Sequence, residues 1–205
     1  MEIRQAKQND TGAIAEMIYS SGADIYDFIY QTNDKSALDY INYEFKSGRG
    51  FAGYKNVTVA VENNEVIATG CFYDGNVYNK LVIGSALNMI SFYGLINFIA
   101  VLKRSLHAIS VMKQPRKNEL YLSNFGVSEK YRSRGIGSAV VQKKITEAKT
   151  AHYKKFILDV SVNNPKAETL YKRMGMNVTK EKKFTGKRDG FECADARQME
   201  LVLNN

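Results

Sequence analysis

Apolar positions recur along this chain in two rhythms, and the switches between them mark out its elements. Residues 1–4 read as a short strand. Asn9, Asp10 and Thr11 then offer an N-cap to a helix whose apolar positions Ile14, Met17 and Ile18 are spaced by three and four. The same spacing in Leu38, Ile41 and Phe45 predicts a helix over about 36–45, closed by Gly48 and Gly50. Beyond it the pattern turns to β-branched runs at 57–61 and 66–73, joined by Glu62-Asn63-Asn64-Glu65, a hairpin signal. After a turn at 114–118, residues 120–127 predict a strand and 134–150 a helix with Val141, Ile145 and Ala148 on one face. Residues 156–162 form the next strand, and the intervening helix, acting as a crossover, makes the two strands parallel. Pro165 opens a further helix that Gly175 ends. The runs 178–184 and 198–203 predict a closing antiparallel pair. The expectation is one α/β domain over 1–205: a mixed, mostly antiparallel central sheet with one parallel strand pair, flanked by helices.

One stretch breaks the rhythm. Lys80 and Lys103 bracket 22 uncharged residues, long enough to span a bilayer. Gly84, Ser85, Asn88, Ser91, Gly94 and Asn97 make it a poor lipid-facing helix. The strands at 66–73 and 120–127 should also join one sheet, which a single span between them would forbid. No membrane span is expected. The helical insertion, about 76–117, is read as one or two helices over 82–106 buried against the domain, lining a pocket or forming a homodimer contact.

Composition narrows the class. Of 205 residues, 44% are apolar, enough for a sizeable core, while 24% charged residues with 15 Gly and 2 Pro exclude a disordered or collagen-like chain. Two cysteines, Cys71 and Cys193, and two histidines supply neither a disulfide framework nor a four-ligand zinc site, so no metal is expected. No apolar h-region opens the sequence, and a cytoplasmic location is the expectation. The net charge of +8 is unevenly placed. Residues 113–190 carry 19 Lys/Arg against 7 Asp/Glu, whereas 1–79 carry 6 against 11. Such an excess suits an anionic partner (nucleic acid, a phosphorylated cofactor or acidic lipid) or a merely solvated basic face.

The sharpest local feature is the strand–loop–helix Leu120–Val127, Ser128–Tyr131, Arg132-Ser133-Arg134-Gly135-Ile136-Gly137-Ser138. Glycines at a helix N-terminus let free N–H groups approach an anion, the helix dipole adds attraction, and Arg132 and Arg134 bring charge to the same place. Pyrophosphate suits such a site. No Gly-Lys-[Ser/Thr] is present for a Walker loop. Asp159 could mimic a ribose-binding acid, but Val140 stands where a dinucleotide fold needs its third glycine, and seven residues separate the strand from Gly135.

Arg132-x-x-Gly135-x-Gly137 resembles the [Gln/Arg]-x-x-Gly-x-[Gly/Ala] signature of the GNAT superfamily of acetyl-CoA-dependent N-acetyltransferases. Asn164-x-x-Ala167-x-x-Leu170-Tyr171-x-x-Met174-Gly175-Met176 resembles that family's second block, with Met176 in place of the commoner Phe. The match covers about 119–176; the insertion lies outside the family's minimal pattern. The resemblance implies a GNAT-like fold, acetyl-CoA as co-substrate and an amine as acceptor. Backbone amides of Arg132, Ser133, Arg134, Gly135, Ile136, Gly137 and Ser138 would hold the pyrophosphate. Phe125, Gly126 and Val127 would pair with the pantetheine arm, with Gly126 as a plausible bulge. Asn164 would bond the cofactor or an ordered water, and Ala167 belongs to the same block.

In the implied reaction an amine attacks a thioester in a ternary complex. A backbone N–H near Val127 suits the developing oxyanion. Tyr171 suits the general acid that protonates the coenzyme A thiolate. Tyr121 stands where family members that use a carboxylate base carry Glu. Glu119, Tyr121, Ser123 and Asn124, acting directly or through water, remain candidates, and His107 and His152 are weaker ones. Cys71 and Cys193 read as packing thiols. The missing strand carboxylate motivates an alternative, a non-catalytic acyl-CoA-binding regulatory module. Nucleic-acid binding rests on charge alone and is not expected. Asp24, Asp27, Asp34 and Asp39, interleaved with Tyr26, Phe28 and Tyr30, point to a cationic small-molecule or peptide amine, or to a solvated acidic helix face.

Overall fold

The computed structural model describes residues 1–203. Its chain order is β1 (Glu2–Gln5), α1 (Ala13–Ser20), α2 (Ala23–Tyr30), α3 (Ala37–Ser47), β2 (Val57–Glu62), β3 (Glu65–Tyr73) and α4 (Tyr78–Ala108). Then follow β4 (Glu119–Val127), α5 (Ile136–Thr150), β5 (Lys155–Ser161), α6 (Pro165–Arg173), β6 (Asn177–Lys182) and β7 (Ala196–Val202). The strands make a seven-stranded sheet in the order β1-β2-β3-β4-β5-β7-β6. Only β4 and β5 run parallel; the other neighbours are antiparallel. This is the expected mixed α/β domain.

Local chemistry sets several of these boundaries. Asn63 and Asn64 both take positive φ (51° and 63°), the two-residue turn that matches strand twist and fixes the β2–β3 register. Ser36 caps α3 by accepting from the Asp39 N–H (3.1 Å), and Gly48 at φ 67° ends it. The start of α1 differs from expectation. Gly12, at φ 74°, precedes the helix, because Asp10 is bound elsewhere: it accepts two bonds from the Arg4 guanidinium (2.6 and 2.9 Å) and one from the Lys7 N–H. Helix α2 was not expected. Gly22 separates it from α1, and Phe28 and Ile29 bury its inner face.

Apolar side chains fill both faces of the sheet. Val141 and Ile145 of α5 and Tyr171 of α6 pack on Leu122, Phe156, Leu158 and Met199. On the opposite face α1 and α3 cover Val57, Val59 and Cys71 with Ile14, Ile18, Ile41 and Phe45. There α2 and α4 meet through Phe28, Met89, Tyr93 and Val101.

The insertion corrects the sequence expectation most clearly. It is two helical segments joined by a break at Gly94 (φ 72°, ψ 168°), together labelled α4, and only their inner stripe is buried, against α2 and α3. Their outer stripe is uncovered: Leu95 is 72% and Ile96 89% exposed. Apolar composition predicted burial, but among the described residues no element packs over that side. The strands on either side of α4 are direct neighbours, with Tyr73 opposite Tyr121 and Ala68 opposite Val127.

Candidate active site

Strands β4 and β5 pair from Glu119↔Lys155 to Leu122↔Leu158 and then part. Beyond that point β4 stays bonded to β3 as far as Val127, and β5 stays bonded to β7 as far as Ser161. The two strands therefore open into a V, leaving the β5-side edge of β4 unpaired over 123–127. The β3–β4 register shifts here, because the three steps from Leu122 to Phe125 face the two from Phe72 to Gly70. The bulge thus falls at Ser123 and Asn124, not at Gly126. Gly126 is required for another reason: a Cβ there would sit 2.6 Å from the Met17 carbonyl oxygen, so its absence lets α1 lie on the strand.

The mouth of the V continues into a cleft of about 570 Å³ that runs to the N-terminus of α5. Gly135, at φ 78°, begins that helix with no side-chain cap, and the first helical bond runs from the Ala139 N–H to its carbonyl (3.0 Å). The N–H groups of Ile136, Gly137 and Ser138 precede that first bond and lie in the cleft wall. Ser133 is also left-handed (φ 63°), so the loop turns sharply into the helix. Gly137 keeps a clear approach; a Cβ would lie 3.3 Å from the Phe125 ring.

The cleft gathers Phe125, Val127, Arg132, Ser133, Gly135, Ile136, Gly137 and Ser138 from the residues expected there. Gly126, Arg134, Asn164 and Ala167 stand outside its lining. Arg134 stacks on the Tyr131 ring, 5.3 Å from its centroid. Arg132 turns back, donating to the Val127 carbonyl and pairing with Glu129 at 3.1 Å. Asn164 caps α6, accepting from the Ala167 N–H at 3.1 Å. Lys166, Thr169, Leu170 and Arg173 form the opposite wall and were not anticipated. Their spacing of three and four on one helix face was the available signal.

Of the catalytic candidates, Ser123 stands just past the last β4–β5 pair, Tyr121 lies within the paired stretch, and Tyr171 is outside the cleft lining. Tyr171 is 6% exposed within the core, and burial pushes its phenol well above the ordinary tyrosine range, so it stays protonated. The Ser123 hydroxyl is buried beside the Cys71 thiol and the Tyr73 hydroxyl, with no hydrogen bond of good geometry among the described residues. Tyr121 is buried on the other face and donates to Asp159 (2.9 Å), the residue just past the last β4–β5 pair. Asp159 also accepts from the Lys113 N–H (2.6 Å) and pairs with the buried Lys182 ammonium (2.7 Å). A carboxylate thus lies one strand away from the position where the family motif would place it.

Behind Asn124 lies an aromatic recess. The Tyr26 hydroxyl donates to the Asn124 side-chain oxygen. Tyr26 and Tyr30 keep partial exposure although protein surrounds them. Glu44, buried on α3, accepts from the Ser85 hydroxyl (2.6 Å) and the Ala52 N–H (3.3 Å), and burial raises its carboxyl above the usual range. Its charge reaches Tyr26, Tyr30, Tyr40 and Cys71. Burial pushes the Cys71 thiol to about 12 and Cys193 to about 11, as befits unreactive thiols. The four aspartates do not converge. Asp24 accepts from the Ala194 N–H and Asp27 from the Tyr19 hydroxyl, while Asp34 and Asp39 bond within their own turns. His107 packs edge-on against Phe28, and His152 sits at a left-handed position on the surface.

A splayed parallel strand pair leading to an uncapped helix N-terminus fits an elongated ligand with an amide-bearing arm and a diphosphate. The residues present therefore suit coenzyme A. Comparison with known proteins agrees. Residues 19–176 match the model of the acetyltransferase (GNAT) family, and the chain belongs to that family. An N-acetyltransferase from Staphylococcus aureus Mu50 superposes with a TM-score of 0.71 at 20% identity, covering 98% of this chain and 100% of that one. The Salmonella typhimurium protein yncA, solved with its cofactor acetyl-CoA, gives 0.55 at 18% identity over 100% of this chain and 95% of its own. The Escherichia coli ribosomal-protein-S18-alanine N-acetyltransferase gives 0.56 at 16%, over 100% and 94%. No curated protein sequence matches the chain.

Proposed function

We propose that this protein transfers an acetyl group from acetyl-CoA to an amine by direct attack in a ternary complex. The opening between β4 and β5, continuous with the uncapped N-terminus of α5, is the observation that carries the reading. In it the N–H groups of Ile136, Gly137 and Ser138 bind the diphosphate, with Lys166 and Arg173 adding charge from α6. The free edge of β4 at 125–127 aligns the pantetheine arm as an added strand. Acetyl-CoA, when bound, supplies the activated acetyl group.

Tyr171 holds the proton destined for the departing thiolate, a role its buried, protonated phenol suits. Ser123, just past the last β4–β5 pair beside Cys71 and Tyr73, and Tyr121, backed by Asp159, are the groups nearest the route by which the amine loses its proton. A cationic amine enters on the α2–α3 side. There the Tyr26 and Tyr30 rings and the field of Glu44 favour an ammonium group. The test is a thiol-release assay with purified protein, acetyl-CoA and a panel of amines, read beside Tyr171→Phe. Amine-dependent thiol release that falls in the variant supports the assignment; equal release from both removes Tyr171 from the reaction.

A further inference from the structure

Of the twelve large hydrophobic side chains left exposed among the described residues, eight lie within 82–109: Val82, Ile83, Leu87, Leu95, Ile96, Ile99, Leu106 and Ile109. Seven of them lie along α4 on either side of the break and Ile109 follows its last turn, with Leu95 and Ile96 at the elbow beside Gly94. Weighted by their exposure, these eight leave roughly 800 Å² uncovered, about what one partner of a stable interface buries and above the ~300–600 Å² of an ordinary monomer's largest patch. We propose that this face is covered by a second copy of the chain, in a two-fold dimer that packs elbow against elbow.

Charge selects that occupant. No charged residue interrupts 81–102, so a two-fold pairing centred on the elbow brings no like charges together; exposed Lys103 lies about two turns beyond Ile96. Ser91, exposed near the elbow, is already satisfied, because its hydroxyl accepts from Tyr43 of α3 (2.8 Å). A bilayer is a poorer match. Residues 1–112 carry nine Lys/Arg against eleven Asp/Glu, and the charges of Asp34 and Asp39 reach Tyr93 on the inner side of the elbow. The nearest basic cluster, Lys113, Lys180, Lys182 and Lys183, gathers beyond Ile109, at the far end of the stripe from the elbow. The inner stripe of α4 holds Ser85 on Glu44 and Tyr93 on the Tyr30 carbonyl, so the dimer braces the wall of the aromatic recess.

Light scattering and sedimentation of the full chain at tens of micromolar test this. The expected mass is twice the 23.1 kDa of one chain. Ile96→Glu and the milder Leu95→Ser/Ile96→Ser pair should each return it to one chain with unchanged circular dichroism, since both side chains are largely exposed. Val202→Lys, an exposed apolar position elsewhere, should stay dimeric. A wild-type monomer, a dimer indifferent to the elbow variants, or a wild-type monomer that floats with phosphatidylcholine–phosphatidylglycerol vesicles would each overturn the proposal.

Discussion

Ser138→Asp sets helix stability and anion binding against each other. Ser138 is the third residue of α5 and lines the cleft where the helix has no side-chain cap. An aspartate there accepts from first-turn N–H groups and meets the positive end of the dipole, adding about 0.5 kcal/mol of stability. The same carboxylate takes up the N–H groups assigned to the diphosphate and repels it. At about 5 Å from two negative charges, with an effective dielectric of about 40 in a half-open cleft, the repulsion is roughly 3 kcal/mol, or about 10²-fold in Kd. Calorimetric titration with coenzyme A reads the affinity and a thermal melt reads the stability. The expected outcome is an affinity weaker by about 10²-fold with Tm unchanged or slightly raised, and a gap that narrows as salt is added. Affinity within about threefold of wild type in a folded variant would refute the placement of the diphosphate.

Other expectations follow from the same geometry. Tyr171→Phe should lower turnover by roughly 10²-fold while leaving coenzyme A affinity and stability intact, because the phenol has no hydrogen-bond partner among the described residues to lose; steady-state kinetics and calorimetry separate the two. Gly126→Ala forces a Cβ to within 2.6 Å of the Met17 carbonyl oxygen. Urea unfolding should register a loss of about 2 kcal/mol as α1 is pushed off β4. Glu44 has a raised carboxyl in the folded protein, so the unfolded chain deprotonates first and stability declines as pH rises from the ordinary carboxylate range to the folded value. Glu44→Gln should flatten that part of the pH–stability curve and be the more stable protein at pH 7; an unchanged slope would remove Glu44 as its source.

Much of the geometry around the N-terminus of α5 was legible in the sequence, because it depends on local features. Gly135 and Gly137 open a helix directly after a strand and loop, and Pro165 and Gly175 frame α6 as read. Contacts set by register were not legible. Tyr121 and Asp159 lie 38 residues apart and meet only because β4 and β5 pair in parallel up to Leu122↔Leu158. Lys166 and Arg173 sit on one face of α6, but nothing local says that this face looks across at α5. That the Arg134 side chain stacks on the Tyr131 ring was not legible either, because charge has no direction in a sequence. The stretch 82–106 was read as buried against the domain, lining a pocket or forming a dimer contact, because hydrophobicity marks a preference for cover without naming what provides it; its outer stripe is exposed.

Acetyl transfer to an amine is tested most directly by mass spectrometry of an amine panel incubated with acetyl-CoA and the purified chain, with thiol release followed in parallel. An acetylated amine formed in step with free coenzyme A, and lost in Ser138→Asp at low acetyl-CoA, is the expected result. Tight coenzyme A binding with neither acetylated amine nor thiol release across alkyl, aromatic and peptide amines would contradict it, leaving a domain that binds the thioester without using it.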